Sequence, residues 1–299
     1  MTAIPDAVAT QERTWGDTLR IYFEITRPKV MALVVFTAVP ALALGEEGWP
    51  SLAKAFWVLF ATALAGGASS ALNAYVERET DALMARTRRR PLPAAILLPR
   101  VVFVYGLLLT VVSTLLLWAV GGPVAAAVGL LTIVFYVGVY TLWLKPRTPQ
   151  NIVIGGAAGA TAPLIASAAM DGHISLGAWL LFGIIFLWTP PHFWAISIFR
   201  SREYERAGFP MMNLVVGDQP TRWRSLGYTL LLVAVSLLPV WFGYLGTLYA
   251  VAAVALGAWF TQAIVRSMIE QAPQADWRAF KASSSYLMLL FLAMIVDLA

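Results

Sequence analysis

The stretch that decides the fold is Val101–Leu144, VVFVYGLLLTVVSTLLLWAVGGPVAAAVGLLTIVFYVGVYTLWL, a run of 44 residues without one charged side chain. A helix needs about 20 apolar residues to cross a hydrocarbon core of about 30 Å. This run therefore crosses twice, and Gly121-Gly122-Pro123 is the natural break between the crossings. Working outward, further charge-free runs lie at Val30–Gly45, Ala55–Val76, Thr148–Met170, Gly172–Phe199, Ser225–Val265 and Ala282–Val296. Ser225–Val265 is also long enough for two crossings, with its break near Gly243–Gly246. The pattern predicts an all-α polytopic membrane protein of nine transmembrane helices. The first helix reaches back to Pro28, since proline suits a first helical turn.

Composition agrees. The 299 residues are 60% hydrophobic and only 12% charged, with a mean hydropathy of +0.74. A soluble domain carries about a quarter charged residues. This excludes a cytosolic enzyme, a disordered regulator and a nucleic-acid binder. With no cysteine and two histidines, disulfides, thiolate chemistry and a histidine-rich metal cluster are excluded as well.

On a nine-helix reading, every lysine and arginine except Lys54 falls on one side. The positive-inside rule places that side, and the N-terminus, in the cytoplasm and the C-terminus outside. Residues 1–29 have no apolar core and carry Asp6, Glu12, Asp17 and Glu24, unlike a signal or transit peptide. The expected address is the inner membrane of a bacterial cell. The expected organisation is a cytoplasmic segment over 1–26 and one transmembrane domain over 27–299. Long cytoplasmic loops over about 77–100 and 200–224 form its active-site face.

The polar residues of those loops are patterned. Asn73, Glu77 and Asp81 recur at i, i+4 and i+8, which keeps them on one helical face. Two carboxylates a turn apart repel unless a cation lies between them. Mg²⁺ takes oxygen ligands and bridges one or two carboxylates to phosphates. Arg86, Arg88, Arg89 and Arg90 follow, and guanidinium groups bind phosphate oxygens in a bidentate fashion. Arg88–Arg90 serve equally well as anchors to lipid headgroups, whereas the acids contribute nothing to topology. Lys145 and Arg147 in the next cytoplasmic turn are open to the same two readings. In the second long loop His192, Arg200 and Glu203 are spaced i, i+8 and i+11, and Glu203 is a second cation ligand candidate. Pro190-Pro191 removes two backbone donors, so a bend or widening is expected there. His192 is then either structural or exposed to a cavity beside Trp194. Gly66-Gly67 and Gly155-Gly156 either allow close helix approach or leave room for a flat ligand.

Asn73-x3-Glu77-x3-Asp81-x4-Arg86-Thr87 with Arg90-Pro-Leu-Pro93 resembles the first acidic motif of the intramembrane aromatic prenyltransferase (UbiA) superfamily. Tyr140-Thr-x3-Lys145-x-Arg147-Thr-x2-Asn151 fits the same group. Trp188-Thr-Pro-Pro-His-Phe-Trp194, with Glu203-Tyr204-x2-Ala207-Gly208-x-Pro210-Met211, resembles its haem branch, the protohaem farnesyltransferases. Glu77 and Glu203 stand where that family more often has aspartate. The resemblance implies transfer of farnesyl from farnesyl diphosphate to haem B with Mg²⁺ as cofactor. It implies metal and catalytic roles for Asn73, Glu77, Asp81 and Glu203. Diphosphate contacts are implied for Arg86, Arg90, Lys145, Arg147 and Arg200, and a haem-side place for His192 and Trp194. The expected partners are the lipid bilayer and oxidase-assembly proteins such as a haem A synthase, and no nucleic acid. A quinone-precursor prenyltransferase is the alternative within the superfamily. A transporter is disfavoured because the charges sit at helix ends rather than mid-membrane.

Overall fold

The computed structural model describes residues 14–45 and 48–299. Asp6, Glu12 and Arg13, and with them the first half of the 1–26 segment, lie outside the described residues. Every regular element among the described residues is helical.

Helix α1 (Trp15–Ile25) starts at a capping box in which Thr14 and Asp17 satisfy each other's backbone N–H groups. Trp15, Leu19 and Phe23 repeat every four residues and are all exposed, giving one apolar stripe. The sequence reading did not anticipate this helix. Arg27 adopts a left-handed backbone (φ 55°, ψ 59°), and α2 (Pro28–Ala43) begins directly after it, with Pro28 in its first turn as expected. The two helices meet at 56°.

Helix α3 (Leu52–Val76) is followed by the short α4 (Arg78–Leu83). Helix α5 (Pro99–Val134) contains the Gly-Gly-Pro break. Gly122 sits at φ 77°, ψ −176°, where a side chain would be strained, and it interrupts the helix. The chain continues as a π-helical segment, Phe135–Leu144. Thr148–Met170, read as one helix, is divided into α6 (Asn151–Gly159) and α7 (Ala162–Asp171), with Pro163 in the first turn of the latter. Helix α8 (Leu176–Phe199) runs unbroken through Pro190 and Pro191, contrary to the expected opening. Its inner face is buried against neighbouring helices, and the Thr189 hydroxyl occupies the Ile185 carbonyl at 2.8 Å. Two short helices, α9 (Ser201–Arg206) and α10 (Met212–Val216), make up the second long loop. Then come α11 (Asp218–Ser236), α12 (Leu238–Trp241), α13 (Thr247–Glu270) and α14 (Pro273–Asp297). The expected break after α12 falls at Gly243 (φ 75°).

Seven helical stretches among the described residues are long and apolar enough to cross a membrane, and the bent α1–α2 pair would make eight. One of the seven is the 46-residue Pro99–Leu144 stretch that Gly122 interrupts. The main core is built from α2, α7, α8, α11, α13 and α14, centred on Leu181, Ile184, Phe260, Tyr286 and Phe291. A Cβ on Gly66 would lie 2.2 Å from the Met31 sulfur, and one on Gly155 would lie 2.1 Å from the Tyr140 ring. These glycines serve close helix packing, which resolves the choice the sequence leaves open.

Candidate active site

The i, i+4 register of the acidic face survives the end of α3. The Glu77 N–H donates to the Asn73 carbonyl at 2.9 Å, and the Asp81 N–H to the Glu77 carbonyl at 2.7 Å. Three polar residues with almost no exposure are thus stacked at one helix end: Asn73 at 1%, Glu77 at 7% and Asp81 at 2%.

Buried polar groups need partners, and each of these has one. Arg27, at the α1–α2 bend, donates from Nη2 to Asn73 Oδ1 at 2.8 Å. The Asn73 amide donates to Thr141 Oγ1 in the π-helical segment at 3.1 Å. Glu77 is ion-paired with Lys145, which follows that segment directly. Asp81 Oδ2 accepts from Arg90 Nη1 at 2.8 Å. Thr87 anchors the turn between them, donating to the Asp81 carbonyl at 2.6 Å. Arg27, Thr87 and Thr141 are the residues that sequence reasoning did not assign. The π geometry that aims Thr141 inward has no periodicity signal to reveal it.

Lys145 also joins the loops. Its ammonium lies 4.6 Å from the centre of the Phe209 ring, which belongs to the second long loop. Met84, Ile152, Ala207, Phe209 and Met211 bury together, with Tyr204 packed on them. The first loop, the α5–α6 turn and the second loop therefore meet. Beside this cluster, Arg200 donates to Glu203 Oε1 at 2.9 Å. The other carboxylate oxygen, Glu203 Oε2, is buried with no hydrogen-bond partner.

A cavity of about 260 Å³ opens between α1 and the first loop, lined by Glu24, Arg27, Asp81, Arg86, Arg89 and Arg90 among others. Three of the four loop arginines reach it, and Arg88 does not. Arg89, which sequence reasoning left between anchor and ligand, thus faces the same space as Arg86 and Arg90. Burial and the neighbouring Arg27 lower the pKa of Arg90, with Asp81 working the other way. The crowding of positive charge suits an anion that would relieve it.

Other predicted residues stand elsewhere. Arg147 is exposed and donates to the Leu142 carbonyl at 2.7 Å and to that of Trp143, closing the end of the π-helical segment. His192 and Glu203 do not share one helical face, because the helix breaks at Arg200 (φ −111°, ψ 26°) before α9 begins. His192 instead bonds Ser283 Oγ through Nδ1 at 2.7 Å, between the rings of Trp188 (4.2 Å) and Phe280 (4.7 Å). Trp194 is buried against Tyr228, with its indole nitrogen unpartnered.

Burial works to raise the Glu77 carboxyl, but Lys145 beside it outweighs burial and holds the group below its ordinary value of 4.5. Burial works to lower Lys145, and Glu77 outweighs it, raising the ammonium above 10.5. A lowered acid stabilises the fold above its unfolded value, and that stability is lost as pH falls through the folded one. A raised lysine contributes below 10.5 and loses its contribution as pH rises through its folded value. The pair therefore holds from about pH 5 to pH 10. In Lys145→Gln burial becomes the main influence on Glu77 and the sign reverses. Acidification from pH 7 to pH 5 should then raise the thermal midpoint of the variant while leaving that of the parent level. A variant whose midpoint stays level on acidification, as the parent's does, would refute the pairing.

The donor set around the acids is entirely oxygen, which suits Mg²⁺. No three acidic or histidine side chains among the described residues come together to hold a metal. Glu77 and Asp81 would have to share the ion with ligand oxygens, as Mg²⁺ bound to phosphates commonly does. The unpartnered Glu203 oxygen is a further donor in the adjoining loop.

Acids at a helix end face a cradle of arginines, an arrangement whose chemistry suits a phosphorylated ligand. The chain belongs to the UbiA prenyltransferase family, which it matches over residues 34–295. It is 44% identical over 286 residues to a protoheme IX farnesyltransferase from Symbiobacterium thermophilum, covering 94% of this chain and 95% of the relative. The corresponding protein of Alkalilimnicola ehrlichii is 45% identical over 284 residues, covering 93% of this chain and 92% of that one. In fold, the chain is similar to a digeranylgeranylglyceryl phosphate synthase, with a TM-score of 0.79 and 16% identity over 94% of this chain and 99% of the other. It is also similar to a UbiA homologue from Archaeoglobus fulgidus solved with GPP and Mg²⁺, with a TM-score of 0.62 and 14% identity over 92% and 99% of the two chains.

Proposed function

We propose that this chain transfers the farnesyl group of farnesyl diphosphate to a vinyl group of protohaem IX, with addition of water, giving haem O and diphosphate. The observation that carries the reading is the arginine-lined cavity against the buried Asp81, one turn from the buried Glu77. The C1–O bond of farnesyl diphosphate breaks and its electron pair leaves with the diphosphate. Arg86, Arg89 and Arg90 stabilise the departing charge in a site partly closed to water. The vinyl π electrons form the new bond to farnesyl C1, and water adds to the resulting cation and gives up its proton. Mg²⁺ shared by Glu77, Asp81 and Asn73 with the diphosphate, and a second ion at Glu203, would neutralise the diphosphate and polarise its bridging oxygen. Lys145 keeps the Glu77 carboxylate ionised, and Arg90 holds the Asp81 side chain in place. Arg200 holds Glu203 in place, and Arg147 supports the turn that carries Lys145.

In this reading Pro99–Leu144 crosses twice and the α1–α2 pair contributes one span, giving nine spans in the cell inner membrane, with the N-terminus and the arginine cavity on the cytoplasmic side. The test is the purified chain in lipid nanodiscs with Mg²⁺ and farnesyl diphosphate, offered protohaem or 4-hydroxybenzoate. Mass analysis should find the hydroxyethylfarnesyl porphyrin and no prenylated benzoate. The reverse outcome would make the chain a quinone-precursor enzyme.

The acceptor side is assigned to His192 and Trp194. His192 Nδ1 is taken by Ser283, which leaves Nε2 of a half-buried ring without a partner among the described residues. His192→Ala should raise the KM for protohaem several-fold and leave that for farnesyl diphosphate unchanged. A loss of stability with both KM values intact would reduce the residue to packing between α8 and α14.

A further inference from the structure

A second cavity, of about 350 Å³, lies between α13 and α14 and shares no residue with the arginine-lined site. Its polar end carries Arg266, Arg278 and Lys281, close to the turn that joins the two helices. Arg278 is paired with Glu270. Arg266 and Lys281 have no acidic partner among the described residues, and no acid lines the groove. Gln262 and Ser285 add neutral hydrogen-bonding groups, and Ala263 and Ala282 leave the floor shallow and apolar. Trp259 stands two helical turns from Arg266, about 10 Å further along the helix, where the surroundings are hydrocarbon.

A soluble anion would need the cations but not the apolar floor. A neutral lipid would need the floor but not two unpaired cations. Positive charge above a small-residue groove, with a tryptophan along its apolar length, matches an amphiphile with a negative head. We propose that this groove binds an anionic glycerophospholipid, its phosphodiester between Arg266 and Lys281 and an acyl chain along Ala263, Ala282 and Trp259.

The experiment is native mass spectrometry of the purified full-length chain titrated with dioleoyl-phosphatidylglycerol or dioleoyl-phosphatidylcholine. One molecule of the former should be retained in preference. Arg266→Gln with Lys281→Gln should weaken its retention about 25-fold, since a cation at an anionic lipid surface contributes about fivefold. Phosphatidylcholine should bind the parent and this variant alike. Both side chains are exposed, so the fold does not depend on them. Ser285→Trp fills the groove without altering its charge and should also abolish retention. Equal retention of the two lipids, or phosphatidylglycerol binding untouched by the double variant, would overturn the proposal. So would displacement of the lipid by millimolar inorganic phosphate, or protohaem held at the same residues in its place.

Discussion

Asp81→Asn should lower turnover at least about 10²-fold, the scale on which removal of one charge-stabilising group from a transition state is felt. The substitution keeps the shape of a side chain that is 2% exposed. It keeps an oxygen for Arg90 to donate to, so the 2.8 Å contact can persist in neutral form. What disappears is the negative charge facing the cavity that Arg27, Arg86, Arg89 and Arg90 line. Without it a divalent cation is held more weakly and the diphosphate ionises with less assistance. The check is the initial rate of haem O formation at saturating Mg²⁺ and farnesyl diphosphate, with the thermal midpoint followed alongside. Near-parental turnover at saturating Mg²⁺ would take Asp81 out of the reaction. A collapsed midpoint would show that the carboxylate serves the fold instead.

The positions of the helices were largely legible because membrane helices announce themselves by missing charge. Pro28, Gly122 and Gly243 stand at ends and breaks for backbone reasons that depend on the residue itself. The Asn73–Glu77–Asp81 stack was legible for the same reason, since a spacing of four is local. The partners were not. Arg27 reaches Asn73 across 46 positions and Lys145 reaches Glu77 across 68, and no period connects them. The i, i+11 link between His192 and Glu203 failed because it assumed one helix where Arg200 ends it. Pro190-Pro191 misled in the opposite direction: a proline's missing donor weakens a helix, but α8 stays continuous with both prolines buried against its neighbours. The arginines were the hardest to read. Anchor, phosphate ligand and structural ion pair all use the same side chain, and only burial tells them apart.

Arg222 is where that distinction matters most for stability. It looks like one more basic residue on the cytoplasmic side, yet it is 5% exposed, and Asp276 in α14 is 1% exposed. Arg222 Nε and Nη2 donate to the two Asp276 oxygens at 3.0 and 2.7 Å, a bidentate pair. Ser267 of α13 donates to the same carboxylate, so three helices are tied at one point. A buried pair is not in itself a large gain over apolar packing, but removing one partner strands the other charge. Arg222→Ala should therefore cost about 3–5 kcal/mol in reversible unfolding. The effect of Arg222→Met with Asp276→Leu should be much smaller, because no charge is left buried without its partner. Unfolding in a denaturing detergent, with the double-mutant cycle completed by the single variants Arg222→Met and Asp276→Leu, measures the coupling. A cost below about 1 kcal/mol for Arg222→Ala is what an exposed pair would give, and would mean that water reaches Asp276.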